Sequence, residues 1–185
     1  GFLSSSTSSR ILHNPIILDG DCGFDGGFTL EGSKVPGAVP FLLAADSDIA
    51  LANDNATNPK SYTFNVNRPI SDGGSGYSLN VSQHGTLNLN AASTFGGGLS
   101  SIGSGDVRSR WFGATVKLLA TNAFTGAHGI DVRYAGRLEI AYPQGYTGGT
   151  RIWGAQLADA SGGQPVLAVQ AGGTLGANVS GNDIV

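Results

Sequence analysis

The stretch Gly145-Tyr146-Thr147-Gly148-Gly149-Thr150-Arg151-Ile152 sets an aromatic, two hydroxyls and a glycine pair ahead of an apolar, strand-forming residue. By itself it reads either as a glycine-rich loop that cradles a phosphate or as one turn of a repeat. The rest of the chain decides. Leu87-x-Leu89 stands eight residues before Phe95, Val116-x-Leu118 eight before Phe124, and Leu138-x-Ile140 eight before Tyr146. A glycine follows each aromatic two positions on (Gly97, Gly126, Gly148), and an isoleucine six or seven positions on (Ile102, Ile130, Ile152). The three copies are offset by 29 and 22 residues. A phosphate loop does not recur three times with its hydrophobic frame attached, no lysine follows these glycines, and no helical pattern opens after them. A period of roughly 20–30 residues in a Gly- and Asn-rich chain is that of a solenoid.

The remaining segments agree on strand. Thr63–Asn67, Ser78–Val81, Thr86–Asn90, Asp131–Tyr134 and Arg137–Ile140 alternate apolar and polar residues between Gly, Asn, Ser and Pro punctuation, the pattern of half-buried strands. The best helix candidate, Phe41–Asn53, divides more naturally into two apolar runs around Asp46-Ser47-Asp48. The expectation is an all-β chain. Leu87, Leu89, Val116, Leu118, Leu138 and Ile140 should face one shared core. Phe95, Phe124 and Tyr146, with the isoleucines, should stack on their equivalents roughly 4.8 Å apart. Gly97, Gly126 and Gly148 should supply positive φ, or a close backbone approach, at corners.

Composition narrows the function. The chain has 185 residues, one cysteine, no methionine, 30 glycines, 12% charged residues and a net charge of −3. Charged residues are about half their usual roughly 25% share. Without a basic run there is no footprint for nucleic acid. No apolar run approaches the roughly 18 residues of a membrane-spanning helix. Gly1–Ser5 lacks the basic and apolar regions of a signal peptide, and a chain without methionine reads as a piece of a longer protein. Cys22 stands alone, which excludes an internal disulfide and reads as a small, inert hydrophobe. A polar chain with few lysines, rich in Ser, Thr, Asn and Gly, points to an extracellular β protein.

Several residues carry candidate chemistry. Asp19, Asp21 and Asp25 alternate within Asp19–Asp25, and carboxylates so spaced can hold calcium. The glycine falls at the fifth position, however, and no glutamate completes the loop, so a solvated strand face is the competing reading. Asp46, Asp48 and Asp54 form a second acidic patch with Lys60 as the nearest base, the ingredients of a polysaccharide-cleaving site if they converge. His84 and His128 adjoin glycines at turns and lack zinc spacing. Arg108, Arg110, Trp111, Phe112 and Tyr134 form the most aromatic and basic surface candidate, fit for a glycan or a partner, against a covering role for Trp111. Asn55, Asn80 and Asn178 are formal glycosylation acceptors.

Phe64–Gly76, then Gly85-Thr86-Leu87-Asn88-Leu89, then the Phe/Tyr-Thr-Gly-Gly-Thr element resemble the autotransporter-associated β-strand repeat, also called the passenger-associated transport repeat. Asn14–Leu18 and Gly172–Gly176 resemble its flanking segments, whereas Gly32–Pro40 and Arg108–Phe112 fit poorly. The Thr-Gly-Gly element is degraded in the first two copies, and a membrane-barrel segment is missing. The resemblance implies a right-handed parallel β-helix (β-solenoid) belonging to a long bacterial surface or secreted protein, with no catalytic residues to carry over.

The sequence therefore leads to a single β-solenoid segment over residues 1–185, with less regular insertions near 32–60 and 103–113. At roughly 22 residues per turn it makes about eight coils, near 40 Å long. The expected role is a non-enzymatic scaffold, adhesin stalk or filament without cofactor, located outside the cell. The alternatives are a polysaccharide-cleaving or phage tail-fibre-like β-helix and a glycan-binding module. Ile11–Ile17 and Val179–Val185 match in phase, so further copies are the expected partners through end-to-end stacking.

Overall fold

The computed structural model describes residues 2–4, 10–31, 41–51, 62–105, 111–153 and 165–175. Among them there is no helix. The described residues wind through seven turns of a parallel β-solenoid. The first turn holds β1 (Phe2–Ser4), β2 (Arg10–Leu12) and β3 (Ile17–Leu18), and the second β4 (Cys22–Asp25), β5 (Phe28–Leu30) and β6 (Phe41–Leu43). The third holds β7 (Ser47–Ala50), β8 (Thr63–Val66) and β9 (Ile70–Ser71), and the fourth β10 (Leu79–Ser82) and β11 (Thr86–Leu89). The fifth has β12 (Leu99–Gly105), β13 (Trp111–Gly113) and β14 (Thr115–Leu118). The sixth has β15 (Ile130–Arg133) and β16 (Arg137–Ile140), and the seventh β17 (Thr150–Trp153) and β18 (Val166–Val169).

Equivalent strands of successive turns pair in parallel to make three walls. The first sheet runs β1-β4-β7-β10-β12-β15-β17, the second β2-β5-β8-β11-β14-β16-β18, and the third β3-β6-β9. Beyond β9 the third wall continues through single contacts: the Ser71–Thr94 and Pro143–Thr174 bridges, and the Ser93 and Asn122 N–H groups, which donate to Asn122 and Pro143 carbonyls. The exception to parallel pairing is β13, which folds back antiparallel on the end of β12 with Gly105 opposite Trp111. The expected split of Phe41–Asn53 into two strands is met by β6 and β7.

Register follows from hydrophobic alternation. Leu87 pairs with Val116 and Val116 with Leu138, while Leu89 pairs with Leu118 and Leu118 with Ile140. All six are buried, between 0% and 1% exposed. Shifting any one strand by a residue would turn its apolar pair to solvent, which pins the register. Each such side chain contributes about 1.5–3 kcal/mol of burial. The aromatics stack as well: Phe95 and Phe124 centroids lie 5.0 Å apart, and Phe124 and Tyr146 5.6 Å. In the earlier turns Phe24 stacks on Phe64 at 4.3 Å, with Phe28 and Phe41 edge-on.

One expectation is corrected, and another is met by one of its two alternatives. The isoleucines do not stack on one another: Ile102 pairs with Arg133, Ile130 with Leu99 and Thr150, and Ile152 with Val132. The corner between aromatic and strand has a variable length, so Leu99, Ile130 and Thr150 are the residues brought into line. Of the two alternatives expected at Gly97, Gly126 and Gly148, positive φ is found at none of them. They are needed for close approach. A Cβ on Gly126 would sit 2.2 Å from the Gly97 carbonyl oxygen, and one on Gly148 2.2 Å from the Gly129 nitrogen.

Candidate functional site

The walls present two outer faces of different character. On the second sheet, side-chain ladders run between turns: Asn88 donates to Asn65 (2.7 Å), Asn90 to Asn67 (2.7 Å) and Asn67 to Glu31 (2.8 Å). Lys117 and Glu139 continue the row at 3.0 Å, and Arg137 holds the other oxygen of Glu139 at 2.7 Å. Burial of the Glu139 carboxyl opposes its ionisation, but these two cations outweigh it and hold the group below the usual range. Along this face the ladder residues bond chiefly to one another from turn to turn.

The first sheet carries a groove of about 440 Å³. Its floor is a row of outward side chains at one register position, Asn80, Ser100, Asp131 and Arg151, and Asp48 continues the row on β7 outside the groove. Alternation sends Ile49, Val81, Ser101, Val132 and Ile152 inward from the same strands. His128 lines the corner edge of the groove. Two residues beyond Asp131, on the same face, Arg133 donates to the Asp131 carboxylate at 2.5 Å. The Arg133 guanidinium lies 5.9 Å from the centroid of the Trp153 ring, within cation–π range. Trp153 is 48% exposed, and its indole nitrogen faces the second Asp131 oxygen at 3.5 Å.

The acidic patches are tied into the fold. Asp46 accepts the Ser78 N–H at 2.7 Å, and Asp48 accepts the Ser82 hydroxyl at 2.6 Å. Asp21 accepts the Asp48 N–H at 3.0 Å. Burial raises the Asp48 pKa, the Ser82 hydrogen bond offsets part of this, and the Asp21 charge adds to it. Asp54, Lys60 and the Asp25 side chain lie outside the described residues, and Asp19 is exposed. Among the described residues no three His, Cys, Asp or Glu side chains come together as a metal site. The Cys22 thiol is half-buried on β4, and burial, the largest cause, pushes its pKa up to about 11. That keeps it protonated and unreactive.

Of the aromatic and basic set read from the sequence, Arg108 and Arg110 lie outside the described residues, and Trp111 and Phe112 are placed by backbone on β13. Tyr134 is 40% exposed at the turn after β15, where its N–H donates to the Trp153 carbonyl. The structure thus brings Tyr134 beside Trp153, Arg133 and Asp131, residues the sequence reading did not single out. Asp131-x-Arg133 and Arg151-x-Trp153 carry the same-face spacing of a strand. That β15 lies beside β17 is information held in the register alone.

A different carboxylate is the most heavily bonded among the described residues. Asp72, 3% exposed, accepts the N–H groups of Gly74, Gly76 and Gly96 at 2.8 Å and of Tyr77 at 3.1 Å. It pins the corner after β9 to the corner of the next turn. Its burial is a structural device, because all these donors belong to the fold.

The chain matches no protein-family model, no curated protein and no solved structure. Function is therefore argued from the geometry.

Proposed function

We propose that this chain is a non-enzymatic structural module, a β-solenoid segment of an extended extracellular bacterial surface protein or filament, of the kind the autotransporter-associated repeat implies. The observation that carries the reading is the uninterrupted pairing of all seven described turns through two walls, with side-chain ladders bonded from turn to turn on the second. A solenoid in which each turn contacts its neighbours is a spacer whose length scales with turn number. The carboxylates Asp46, Asp48 and Asp131 are each engaged by a protein donor, which leaves a catalytic pair unfavoured.

Axial stacking with further copies is part of the same proposal. Leu3 and Val169 occupy core-facing register positions, opposite Phe24 and Ile140, yet are 43% and 46% exposed in the first and last described turns. Strand edges bearing such positions favour pairing with another turn. Electron microscopy of the native assembly tests this. Rods with an axial repeat near 40 Å are expected, given roughly 4.8 Å per turn. A monomer at every concentration, with no rods, rejects the stacking. Release of reducing ends from a panel of polysaccharides rejects the non-enzymatic assignment.

A further inference from the structure

The groove on the first sheet has more unpaired polar chemistry than a spacer needs. Asn80, Ser100, His128 and Arg151 line it, and none of their side chains has a protein hydrogen-bond partner among the described residues. Asn80, Ser100 and Arg151 offer an amide, a hydroxyl and a guanidinium along a straight row on β10, β12 and β17, where successive strands lie roughly 4.8 Å apart, and the His128 imidazole stands at its corner edge. A ligand that uses them all must be extended along the solenoid axis and rich in hydroxyls.

Trp153 stands two residues beyond Arg151 on β17, beside the Arg133 that lines the groove. An indole left half-exposed is a binding surface waiting for an apolar face, and this one is held in position. Arg133 covers part of the ring, Asp131 fixes Arg133, and the same carboxylate faces the indole nitrogen. An aromatic platform whose rotamer is set in advance loses little entropy when a ligand stacks on it. Sugar rings combine a flat C–H face with a rim of hydroxyls, and that pairing matches an indole flanked by polar side chains.

Charge selects the class further. Asp131 is neutralised by Arg133, whereas Arg151 is exposed and takes part in no ion pair among the described residues. The groove's other acid, Asp46, lies at the far end, four strands from β17, about 19 Å along the axis. One free guanidinium beside the aromatic platform calls for a single carboxylate. It is too few for a polyphosphate backbone, which needs a series of cations.

We propose that this groove binds an acidic oligosaccharide, with Trp153 stacking on a sugar ring and Arg151 pairing with a uronate carboxylate. The groove lies on the flank of the solenoid, so the proposal is independent of whether copies stack end to end.

Titration calorimetry of the full chain against oligogalacturonate, hyaluronan and alginate oligosaccharides tests it, with a neutral gluco-oligosaccharide of equal length as the comparison. Saturable binding of at least one acidic probe is expected, about tenfold tighter than the neutral chain. Trp153→Ala and Arg151→Gln should each weaken it by about tenfold, or ~1.4 kcal/mol. Lys117→Gln, on the second sheet, should bind as wild type. All three variants keep the wild-type circular dichroism spectrum, because the replaced side chains point outward. Failure of all three acidic probes to bind overturns the proposal. So does equal affinity for the neutral chain, or full affinity in both groove variants.

Discussion

Asp72 allows the sharpest test of the fold, because one carboxylate holds four backbone N–H groups from two turns. In Asp72→Asn the remaining carbonyl can keep the three donors now on Oδ2, at neutral rather than charge-assisted strength. The new amide meets the Gly74 N–H, donor against donor. Gly74 and Gly76 are exposed and regain water, whereas Tyr77 and Gly96 are partly enclosed. Weakening bonds to a charge, each worth about 1.5–3 kcal/mol, therefore predicts a net loss of about 2–3 kcal/mol.

The same residue adds a pH dependence of known sign. Burial by itself raises the Asp72 pKa, but the N–H groups of Gly96, Gly74, Gly76 and Tyr77 outweigh it and hold the carboxyl below the usual range. The folded state then binds the proton more weakly than the unfolded chain. The stability that results is fully present above the unfolded pKa of about 3.9 and is lost as pH falls through the lower folded value. Asp72→Asn has no such component, so the gap between wild type and variant should close on acidification. Urea unfolding at pH 7 and in steps below pH 4 measures this globally, and amide exchange at Tyr77 and Gly96 reads the corner locally. A variant within about 0.5 kcal/mol of wild type at pH 7 refutes the reasoning. A deficit that persists undiminished in acid refutes the electrostatic part.

Leu138, fully buried between Val116 and Leu167, should cost about 2–5 kcal/mol when cut to alanine, seen as a lower urea midpoint. A loss under about 1 kcal/mol would mean that the turns repack freely. Gly126→Ala should cost about 1–3 kcal/mol, because its Cβ would meet the Gly97 oxygen at 2.2 Å and the Phe124 ring at 2.4 Å. A melting temperature equal to wild type would show that the corner yields. Asp48→Asn keeps an acceptor for Ser82 while removing a charge that burial disfavours, so stability at pH 7 should stay level or rise. A drop above about 1 kcal/mol in chemical denaturation would assign the charge a stabilising role.

Much of the architecture is a local property and was readable from residue order. Alternation over Thr86–Leu89, Thr115–Leu118 and Arg137–Ile140 states which side chains turn inward, because a strand has no other way to bury them. The equal spacing from these strands to Phe95, Phe124 and Tyr146 placed the aromatic stack, since a constant path length returns each turn to the same phase. The isoleucine series misled because corner length varies after the aromatic, and a strand's register answers to pairing with its neighbour. The glycines at the corners were visible, but which of their two possible reasons applied was not. Close approach to another turn, which excludes a Cβ at Gly126, exists only after the turns stack. The groove is likewise a product of stacking. Asp131, Arg133, Arg151 and Trp153 are scattered over 23 residues of sequence and meet because β15 and β17 are adjacent strands. Alternation within a strand is dictated by bond geometry along the chain, whereas neighbours across strands are chosen by hydrogen bonding between turns, and only the tertiary structure holds that choice.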